Sequence, residues 1–576
     1  PDKTARMNKL MSSKYWWVYL VAVIAAVNYI ASVFHYRIDL TQEKRYTLSH
    51  PTKRLLKGLK EEINVTVFLH GDLPADFRNL RNSAEELLQE FRELAPNELR
   101  FTFKRPGEGL SEEEKIAYQL YLDSLGIRPT NVRVQLKAGE SQEERLVYPG
   151  ALVSAGDRVM AIDLLQGQDM GGGLQTLNIA NALLEYKFAN AIQKLVQERA
   201  PVVGYLVGNG QALTYNVYDL IEKTLKPAYG FGFVPIDSLP VIPLDFDAII
   251  VFKPTQRFSD EQKLKLDQYV MHGGKLIWMI DNLYAEMDSL MRAQNDFVAF
   301  DRGLNIEDLL FRYGVRINQD LVQDLQCDKI PLAVGSFGGN PQIELVSWQY
   351  FPLLSSYSDH PIAKNLNTVL SVFPNSIDTV EAEGIRKTVL LATSAHSRTL
   401  STPAIVSLNS VRTEDDLKLF NRGHIPVAVL LEGDFTSLYA HRIRPGLADS
   451  LGRIHGQPYL AASAAGNRMI VIADADIAGN VVTQNEGPLP MGMNQFTKTQ
   501  YANKDFITNC IEYLVNPSGI LSARSKTLAL RLLDPAKVEA EKTRWQLMNV
   551  GLPIAAVLLL AAIYQALRRK KFVINK

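Results

Sequence analysis

The sequence predicts an α/β protein in which two domains of mixed strands and helices lie between two membrane-spanning helices. Three observations support this fold class. Of the 576 residues, 47% are apolar and 22% are charged, which is typical of a folded chain. Segments of strand length alternate with amphipathic segments of helix length through most of the sequence. Residues 15–34 and 545–567 contain no charged side chain, and about 20 such residues in a helix cross the hydrocarbon core of a bilayer.

Residues 37–200 are predicted to form a first α/β domain. Ser49 and Pro51 stand where an N-cap and a first-turn proline stand, so a helix begins there and runs to about residue 59. Ser111 followed by Glu114 is a capping-box pattern. The other predicted elements are strands at 63–69, 99–104, 131–136, 144–153 and 158–162, and helices at 74–94, 111–125 and 175–198.

Residues 201–535 are predicted to form a second domain, built on a doubly wound parallel sheet. Strands here alternate with helices of similar length, which is typical of such sheets. Ser259 caps a helix that ends before the Gly273-Gly274 pair. The predicted elements are strands at 202–207, 234–236, 248–252, 275–280, 315–317, 427–432 and 469–473, and helices at 216–229, 259–271, 305–313 and 504–514.

Basic residues lie on the outer side of both uncharged segments. They are Lys3, Arg6, Lys9 and Lys14 before the first segment, and Arg568, Arg569, Lys570, Lys571 and Lys576 after the second. By the positive-inside rule, the tails 1–14 and 568–576 are then cytoplasmic. We expect one span at 15–36 and a second, with its linker, at 536–567. The protein would lie in the inner membrane, with the bulk of the chain in the periplasm of a Gram-negative cell.

Each predicted span has an alternative interpretation. A cleaved signal peptide has a shorter apolar core and a small-residue cleavage site, which residues 30–33 do not provide, so an uncleaved anchor is favoured. The second segment could be a buried helix of a soluble domain, but four basic residues follow it directly. Asn28, Asn549 and Pro553 are candidate contacts with other membrane helices, because polar side chains can form hydrogen bonds between helices in lipid.

Composition excludes several classes of protein. Lys plus Arg and Asp plus Glu both number 62, so the basic excess of a general nucleic-acid binder is absent. Two cysteines, Cys327 and Cys510, are too few for zinc fingers or iron–sulfur clusters. In an oxidising compartment these two could form a disulfide, and the sequence leaves both states open. No phosphate-binding lysine motif is present, so ATP hydrolysis would need a separate subunit. We predict no cofactor and no resident metal.

A candidate ligand crevice lies at the carboxyl ends of the predicted parallel strands, where open α/β sheets bind ligands. It comprises Gly208, Asn209, Gly210, Gln211, Lys253 and Asp281. The turn 208–211 could offer backbone N–H groups to an anion, but Leu213 replaces the third glycine of a dinucleotide fingerprint, so a tight turn is favoured. Asp474 and Asp476 provide only two oxygen-bearing side chains for a metal, and helix capping by Asp476 explains them equally well.

The order of motifs resembles known families. The order of elements in residues 37–200 resembles a thioredoxin-like domain, without its Cys-x-x-Cys pair. The stretches DAIIVFKP and FSDEQKLKLDQYVMHGGKLIWMID resemble the class I glutamine-amidotransferase-like fold. Together with LLFRYGVRINQDLVQD, DHPIAKNL, NRMIVIADADIAGN and NKDFITNCIEYL, they make nearly the whole chain resemble the GldG-type auxiliary component of gliding-motility ABC transporters.

The resemblance implies a function without catalysis. Amidotransferases need an activated cysteine at a strand end, but the strand ends at 252 and 280 carry Lys253 and Asp281, so no catalytic residue is predicted. By resemblance, the chain would pair with a multi-span permease and a cytoplasmic ATPase, and with further gliding or secretion components. Two alternatives stay open: a periplasmic module that binds glycan or peptide, and a degenerate amidotransferase-like hydrolase.

Overall fold

The computed structural model describes most of the chain. The described ranges are 47–127, 129–134, 143–165, 174–287, 296–337, 340–408, 414–443, 456–526 and 535–572, with single positions or short pieces at 18, 21–25, 28, 289, 446 and 453. They divide into two compact units, residues 1–527 and residues 528–576.

The amino-terminal part of the first unit contains a four-stranded sheet. Its elements are α1 (His50–Lys57), β1 (Ile63–Val67), α2 (Ala75–Leu94), β2 (Leu99–Phe103), α3 (Glu112–Ser124), β3 (Thr130–Val134), β4 (Glu143–Val147), β5 (Gly150–Ala155), β6 (Arg158–Asp163) and α4 (Leu174–Val196). The strand order is β2-β1-β5-β6. Strand β1 is parallel to β2 and antiparallel to β5, β6 is antiparallel to β5, and β3 and β4 form a separate hairpin.

Local sequence signals fix the helix starts in this region. The Ser49 hydroxyl accepts the N–H of Thr52 at 3.4 Å, and the Ser111–Glu114 capping box is formed in both directions. The predicted strand at 144–153 is wrong, because β4 ends at Val147 and β5 begins only at Gly150. Pro149 lies between them and has no N–H to donate to a ladder.

The rest of the first unit is organised around one long sheet. Its elements are β7 (Val202–Val207), β8 (Gly230–Pro235), β9 (Ala248–Phe252), α5 (Asp260–Met271), β10 (Leu276–Met279), β11 (Asp296–Ala299), α6 (Glu307–Arg312), β12 (Val315–Ile317), β13 (Asp320–Asp324), β14 (Cys327–Phe337), β15 (Asn340–Ser356), β16 (Val369–Leu370), β17 (Ile377–Thr379), β18 (Ile385–Ala392), β19 (Ser397–Ser401), β20 (Ala404–Ser407), α7 (Glu414–Leu417), β21 (Pro426–Gly433), β22 (Asn467–Ile472), β23 (Val482–Thr483), β24 (Gly487–Pro488) and α8 (Asn503–Val515).

The long sheet is parallel in one half and antiparallel in the other. Its order is β14-β15-β18-β21-β22-β10-β9-β7-β8, with β16 paired to β15. Strands β22, β10, β9, β7 and β8 are mutually parallel, as the sequence predicts for a doubly wound sheet. From β22 to β14 every pairing is antiparallel, so the expectation of a wholly parallel sheet is wrong.

Both faces of the parallel half are buried. Ala248, Ile250 and Phe252 of β9 belong to one apolar cluster, while Ile249 and Val251 belong to another on the opposite face. This alternation follows from the two-residue repeat of a strand, and a strand covered on both faces is apolar throughout. The first cluster continues into the amino-terminal sheet. The domain boundary at residue 200 stays a prediction.

The predicted α-helix at 216–229 has a different form. A 3₁₀ turn (Tyr215–Val217) leads into a π-helix (Asp219–Leu225) and a last α-helical turn (Lys226–Ala228). Asp219 is buried, and its carboxylate accepts the N–H of Met491 at 2.7 Å and pairs with Lys504 at 2.9 Å. These distant contacts hold Asp219 inward, and the wider π turn accommodates that placement.

The second unit contains helix α9 (Pro535–Phe572). Its segment Glu541–Arg569 is long and apolar enough to cross a membrane, by length and composition. Pro553 lies inside this helix, and Asn549 is exposed on it. The first predicted span lies largely outside the described residues. Of its polar positions, Asn28 is described, and its side-chain amide donates to the Ile24 carbonyl at 3.1 Å.

Candidate functional site

Charged side chains meet at the carboxyl ends of three adjacent parallel strands. Lys253 follows β9, Asp281 lies just beyond β10, and Asp476 lies beyond β22. The Lys253 ammonium nitrogen is 3.0 Å from Asp281 Oδ2, 2.6 Å from Asp476 Oδ1 and 3.1 Å from Glu286 Oε2. With Asp474, which lies directly after β22 and two residues before Asp476, these residues form what we call the Lys253 cluster.

Lys253 lies at the centre of the cluster. Its backbone adopts a φ of 40°, in the left-handed region that non-glycine residues rarely occupy. Its N–H donates to the Met279 carbonyl at 2.9 Å, which continues the ladder between β9 and β10. Burial disfavours the charge on Lys253, but Asp281, Asp476 and Glu286 together outweigh this and hold its pKa well above the ordinary value. The side chain is therefore a permanent cation.

Asp474 and Asp476 are carboxyl groups with raised pKa values. Burial raises the pKa of Asp474 well above its ordinary value, and the charges of Asp476 and Asp281 raise it further. The Ser371 hydroxyl and the Val372 N–H donate to Asp474 Oδ2, which opposes the rise. Burial also raises the pKa of Asp476 to about 7, despite the attraction of Lys253. Both groups thus hold protons at pH values where an exposed aspartate is ionised.

The cap of the short helix after β22 is Asp474. Its Oδ1 accepts the N–H of Asp476 at 2.8 Å, at the start of the 3₁₀ turn Ala475–Ile477. The sequence-based assignment of the cap to Asp476 is therefore wrong. Asp281 Oδ1 accepts the preceding N–H of this chain segment, that of Ala475, at 2.6 Å. The strand ends of β10 and β22 are thus joined through backbone as well as charge.

Two members of the site could not be recognised from any pattern in the sequence. Glu286 and Arg302 lie in loops without helical or strand periodicity, and neither was predicted to take part. Arg302 pairs with Glu286 at 2.5 Å and donates through Nε to the Leu283 carbonyl at 3.0 Å. Its guanidinium lies 4.3 Å from the centre of the Tyr284 ring. Only the contacts in the folded chain show their role.

A loop covers the carboxyl end of β10 beside the cluster. Leu283 and Asp301 form a β-bridge, and the N–H of Tyr284 donates to the Phe300 carbonyl at 2.8 Å. The Tyr284 and Phe300 rings lie 4.8 Å apart, and both side chains are exposed. We call these two residues the aromatic pair. The aromatic pair is thus a small exposed apolar surface beside the cluster.

The predicted crevice residues are only partly brought together. Lys253 and Asp281 are in contact. The N–H of Asn209 donates to Gln211 Oε1 at 2.8 Å within the turn, and other groups of Asn209 and Gly210 form hydrogen bonds with residues 255–262, including 2.9 Å from Asn209 Nδ2 to Gln262 Oε1. A Cβ on Gly210, which has a φ of 73°, would lie 2.1 Å from Thr255 Oγ1. The turn at 208–211 is therefore packed against its neighbour, and its role as a ligand crevice stays a prediction.

The remaining candidates for chemistry in this chain are its two cysteines and its possible metal ligands. Cys327 and Cys510 are free thiols in this structure, so of the two states that the sequence leaves open it has the reduced one. Burial raises the pKa of Cys327 to about 12 and that of Cys510 well above its ordinary value, so neither is an activated nucleophile. Among the residues that the structure describes, no group of three or more His, Cys, Asp or Glu side chains is arranged to hold a metal ion.

The molecule is thus a mixed α/β protein with a long apolar helix near its carboxyl end and a lysine enclosed by carboxylates at the ends of its parallel strands. The chain belongs to the ABC transporter auxiliary family. The model of that family, described as an ABC-type uncharacterized transport system, matches residues 200–510, more than half of the chain. A second family model, a domain of unknown function (DUF7088), matches residues 42–154.

Two individual proteins are similar to this chain. An uncharacterized protein of Borreliella burgdorferi is 22% identical over 393 residues, which are 66% of this chain and 69% of the relative. Among solved structures, the mmIFT52 N-terminal domain is 12% identical, with a TM-score of 0.29, and covers 55% of this chain and 97% of that domain. A score of this size does not establish a shared fold.

Proposed function

We propose that this chain is a non-enzymatic, membrane-anchored auxiliary subunit of an ABC transporter linked to gliding motility and secretion. One observation carries the proposal: the auxiliary-family match over residues 200–510 lies in the same chain as the apolar segment Glu541–Arg569. The partners would be a multi-span permease and a separate cytoplasmic ATPase. The chain would be anchored in the inner membrane by spans at 15–36 and within 536–567, with both termini cytoplasmic and residues between them periplasmic.

The architecture supports two finer assignments. The order β2-β1-β5-β6, with one parallel and two antiparallel pairings, supports a thioredoxin-like domain in residues 37–200. The five parallel strands β22-β10-β9-β7-β8 support an amidotransferase-like sheet in residues 201–535. Lys253 has a left-handed φ at the end of β9, a strand-end position of the kind that carries the nucleophile in amidotransferases. A lysine neutralised by carboxylates cannot act as that nucleophile, which supports a role without catalysis.

The exposed surface favours protein contact over ligand capture. The charge of Lys253 is satisfied by three carboxylates, and a loop bearing the aromatic pair covers the neighbouring strand end. In the proposed assembly, nucleotide-driven movement of the permease would pass through the spans to the exported body. The aromatic pair would then contact a second protein outside the membrane.

Purification from the producing cells tests this function. The tagged full chain would be extracted in mild detergent, and the recovered proteins would be identified by mass spectrometry. We expect a multi-span permease and an ATPase in a constant ratio to the tagged chain. Recovery of the chain alone, in detergents that preserve other ABC complexes, would overturn the proposal. Specific binding of glycan or peptide by the isolated chain would favour the alternative of a binding module.

A matched pair of double variants tests the aromatic surface. Tyr284→Ser with Phe300→Ser removes the aromatic pair, whereas Leu213→Ser with Tyr215→Ser removes two exposed apolar side chains elsewhere. We expect only the first double variant to lose an exported partner while keeping the permease and the ATPase. Equal recovery of every partner by the two double variants would show that the aromatic pair is not a contact surface.

A further inference from the structure

Two chain segments, one beginning at Thr47 and one ending at Lys526, meet at one ion pair of the first unit. Lys526, near the carboxyl end of this unit, donates through Nζ to the carbonyl of Thr47 at 2.7 Å. The same ammonium pairs with Glu185 on α4, whose side chain is only 3% exposed. The other oxygen of Glu185 accepts the N–H of Ser49 at 2.7 Å. One carboxylate of α4 thus binds both the incoming and the outgoing chain.

Further contacts hold the outgoing chain in place. The side-chain amide of Asn365 donates to the carbonyls of Arg524 and Lys526, at 2.7 Å each. The Arg524 guanidinium is buried and lies 5.0 Å from the centre of the Tyr186 ring, which is also on α4. The chain therefore leaves the unit in a fixed position and does not trail freely from its surface.

Both segments lead toward membrane helices along the chain. Residues 37–46 separate the first predicted span from Thr47, and residues 527–534 separate Lys526 from α9. We infer that Thr47, Ser49, Glu185 and Lys526 form a joint that fixes both membrane-directed segments to a single point on α4. A displacement of either segment then reaches the body at the same place. This inference rests on the proposed anchoring at both ends.

Helix α4 continues from the joint to the long sheet. Nine residues beyond Glu185, Lys194 pairs with Glu512 of α8 at 2.5 Å, and the two side chains are 11% and 3% exposed. The Tyr229 hydroxyl donates to the same Glu512, and Tyr229 directly precedes β8. The two ion pairs of α4 therefore form a contiguous set of contacts from the joint to α8 and to the edge of the parallel strands.

Hydrogen exchange on the full chain in detergent tests the joint. Lys526→Met removes the shared cation, and Lys194→Met is the matched control, since it breaks a buried ion pair on the same helix away from the chain ends. For Lys526→Met we expect exchange to rise about tenfold in both 47–57 and 519–526, because local opening becomes easier in both. Lys194→Met should leave these two segments unchanged and loosen 503–515. A rise in only one segment, or the same pattern in both variants, would overturn the inference.

Cross-linking keeps the inference testable where Lys526→Met does not fold. In a Cys327→Ser, Cys510→Ala background, Thr47→Cys and Ser525→Cys should be joined by a short bifunctional maleimide. The yield of this cross-link should be unchanged when Lys526→Arg is added, because arginine keeps the positive charge. It should fall when Glu185→Gln is added. No cross-link in the folded chain would overturn the joint, whatever the partners recovered. A normal cross-link with no transporter partner would overturn only the proposed function.

Discussion

The Lys253 cluster and the two ion pairs of α4 are both buried sets of charges, but they differ in balance. On α4 each cation has one carboxylate: Lys526 with Glu185, and Lys194 with Glu512. In the cluster, Lys253 faces three carboxylates within 3.1 Å, and Asp474 lies close by. Burial, together with the excess of carboxyl groups, raises the pKa values of Asp474 and Asp476. Balanced pairs suit a fixed joint, whereas the unbalanced cluster makes the strand ends sensitive to proton concentration.

Removal of the central cation should have the largest effect. Lys253→Met leaves Asp281, Asp476 and Glu286 close together without their shared partner, and loss of one member of a buried ion pair costs about 3–5 kcal/mol. We expect the free energy of unfolding of the full chain in detergent, measured with urea at pH 7, to fall by this amount.

Lys498→Met is the control for this loss. Lys498 pairs with Glu486 on the surface, where both side chains are about half exposed, so its removal should cost less than about 1 kcal/mol. A similar small cost for Lys253→Met would mean that the cluster does not depend on its lysine.

Loss of the Lys194–Glu512 pair on α4 should lower the free energy of unfolding by less than loss of Lys253 does. Lys194→Met leaves one carboxylate, Glu512, which keeps the hydrogen bond from Tyr229. We therefore expect a loss near the lower end of the same range, about 3 kcal/mol, in the same urea experiment. If Lys194→Met proved more damaging than Lys253→Met, the excess of carboxylates in the cluster would not be what makes its cation important.

The free energy of unfolding should depend on pH through the proton that Asp476 binds in the folded chain. The carboxyl of Asp476 titrates near 3.8 in the unfolded chain and at about 7 in the folded one. Through this group the folded chain binds more protons between these values, so the contribution of Asp476 to the free energy of unfolding falls as pH rises from about 4 to about 7, by up to about 1.3 kcal/mol per pH unit. Asp476→Asn should make this slope less steep.

The pH slope of Asp476→Asn must be compared with that of wild type, because His360 changes the free energy of unfolding with pH in the opposite direction. Burial lowers the pKa of His360 to about 4, so that this histidine favours the folded chain increasingly as pH rises toward its ordinary value. His360 is common to every variant, and its contribution cancels in the difference. An identical slope for Asp476→Asn and wild type between pH 5 and pH 7 would contradict the assignment of the proton to Asp476.

The smallest expected change in the free energy of unfolding comes from removing a hydrogen bond to Asp474. Ser371→Ala removes a hydroxyl that donates to Asp474 Oδ2, while the N–H of Val372 still donates at 2.7 Å. We expect a loss of about 1 kcal/mol, typical of one buried hydrogen bond. Because that bond favours the ionised carboxyl, the loss should be larger at pH 8 than at pH 5. The reverse order would mean that the hydroxyl stabilises the protonated form.

Elements specified by neighbouring residues could be predicted from the sequence. The five apolar residues of β9 predict a buried strand, and Ser259 with Gln262 predicts the start of α5, which the capping box confirms. The antiparallel half of the long sheet could not be predicted, because strand direction depends on partners far away in sequence. The π-helix was missed for the same reason, since Met491 and Lys504 hold Asp219 from 272 and 285 residues away.

The site shows the same limit. Lys253 and Asp281 were singled out because they follow neighbouring strands, and the register of β9 with β10 brings them together. Glu286 and Arg302 meet through a loop that folds back by bridging Leu283 to Asp301. No local sequence pattern predicts that this loop folds back, so neither residue could be assigned to the site from the sequence. The ligand-binding role of the crevice stays a prediction.

The π-helix has a consequence for how this chain tolerates insertion and deletion. Its hydrogen bonds reach one residue farther than those of an α-helix, so the turn accommodates an extra residue. Deleting Asp219, the first residue of the π-helix, would let the segment wind as an ordinary α-helix while its flanks keep nearly the same phase. The Lys504 ammonium and the Met491 N–H would both lose the carboxylate that they share. A change of one codon there would disturb contacts nearly three hundred residues downstream.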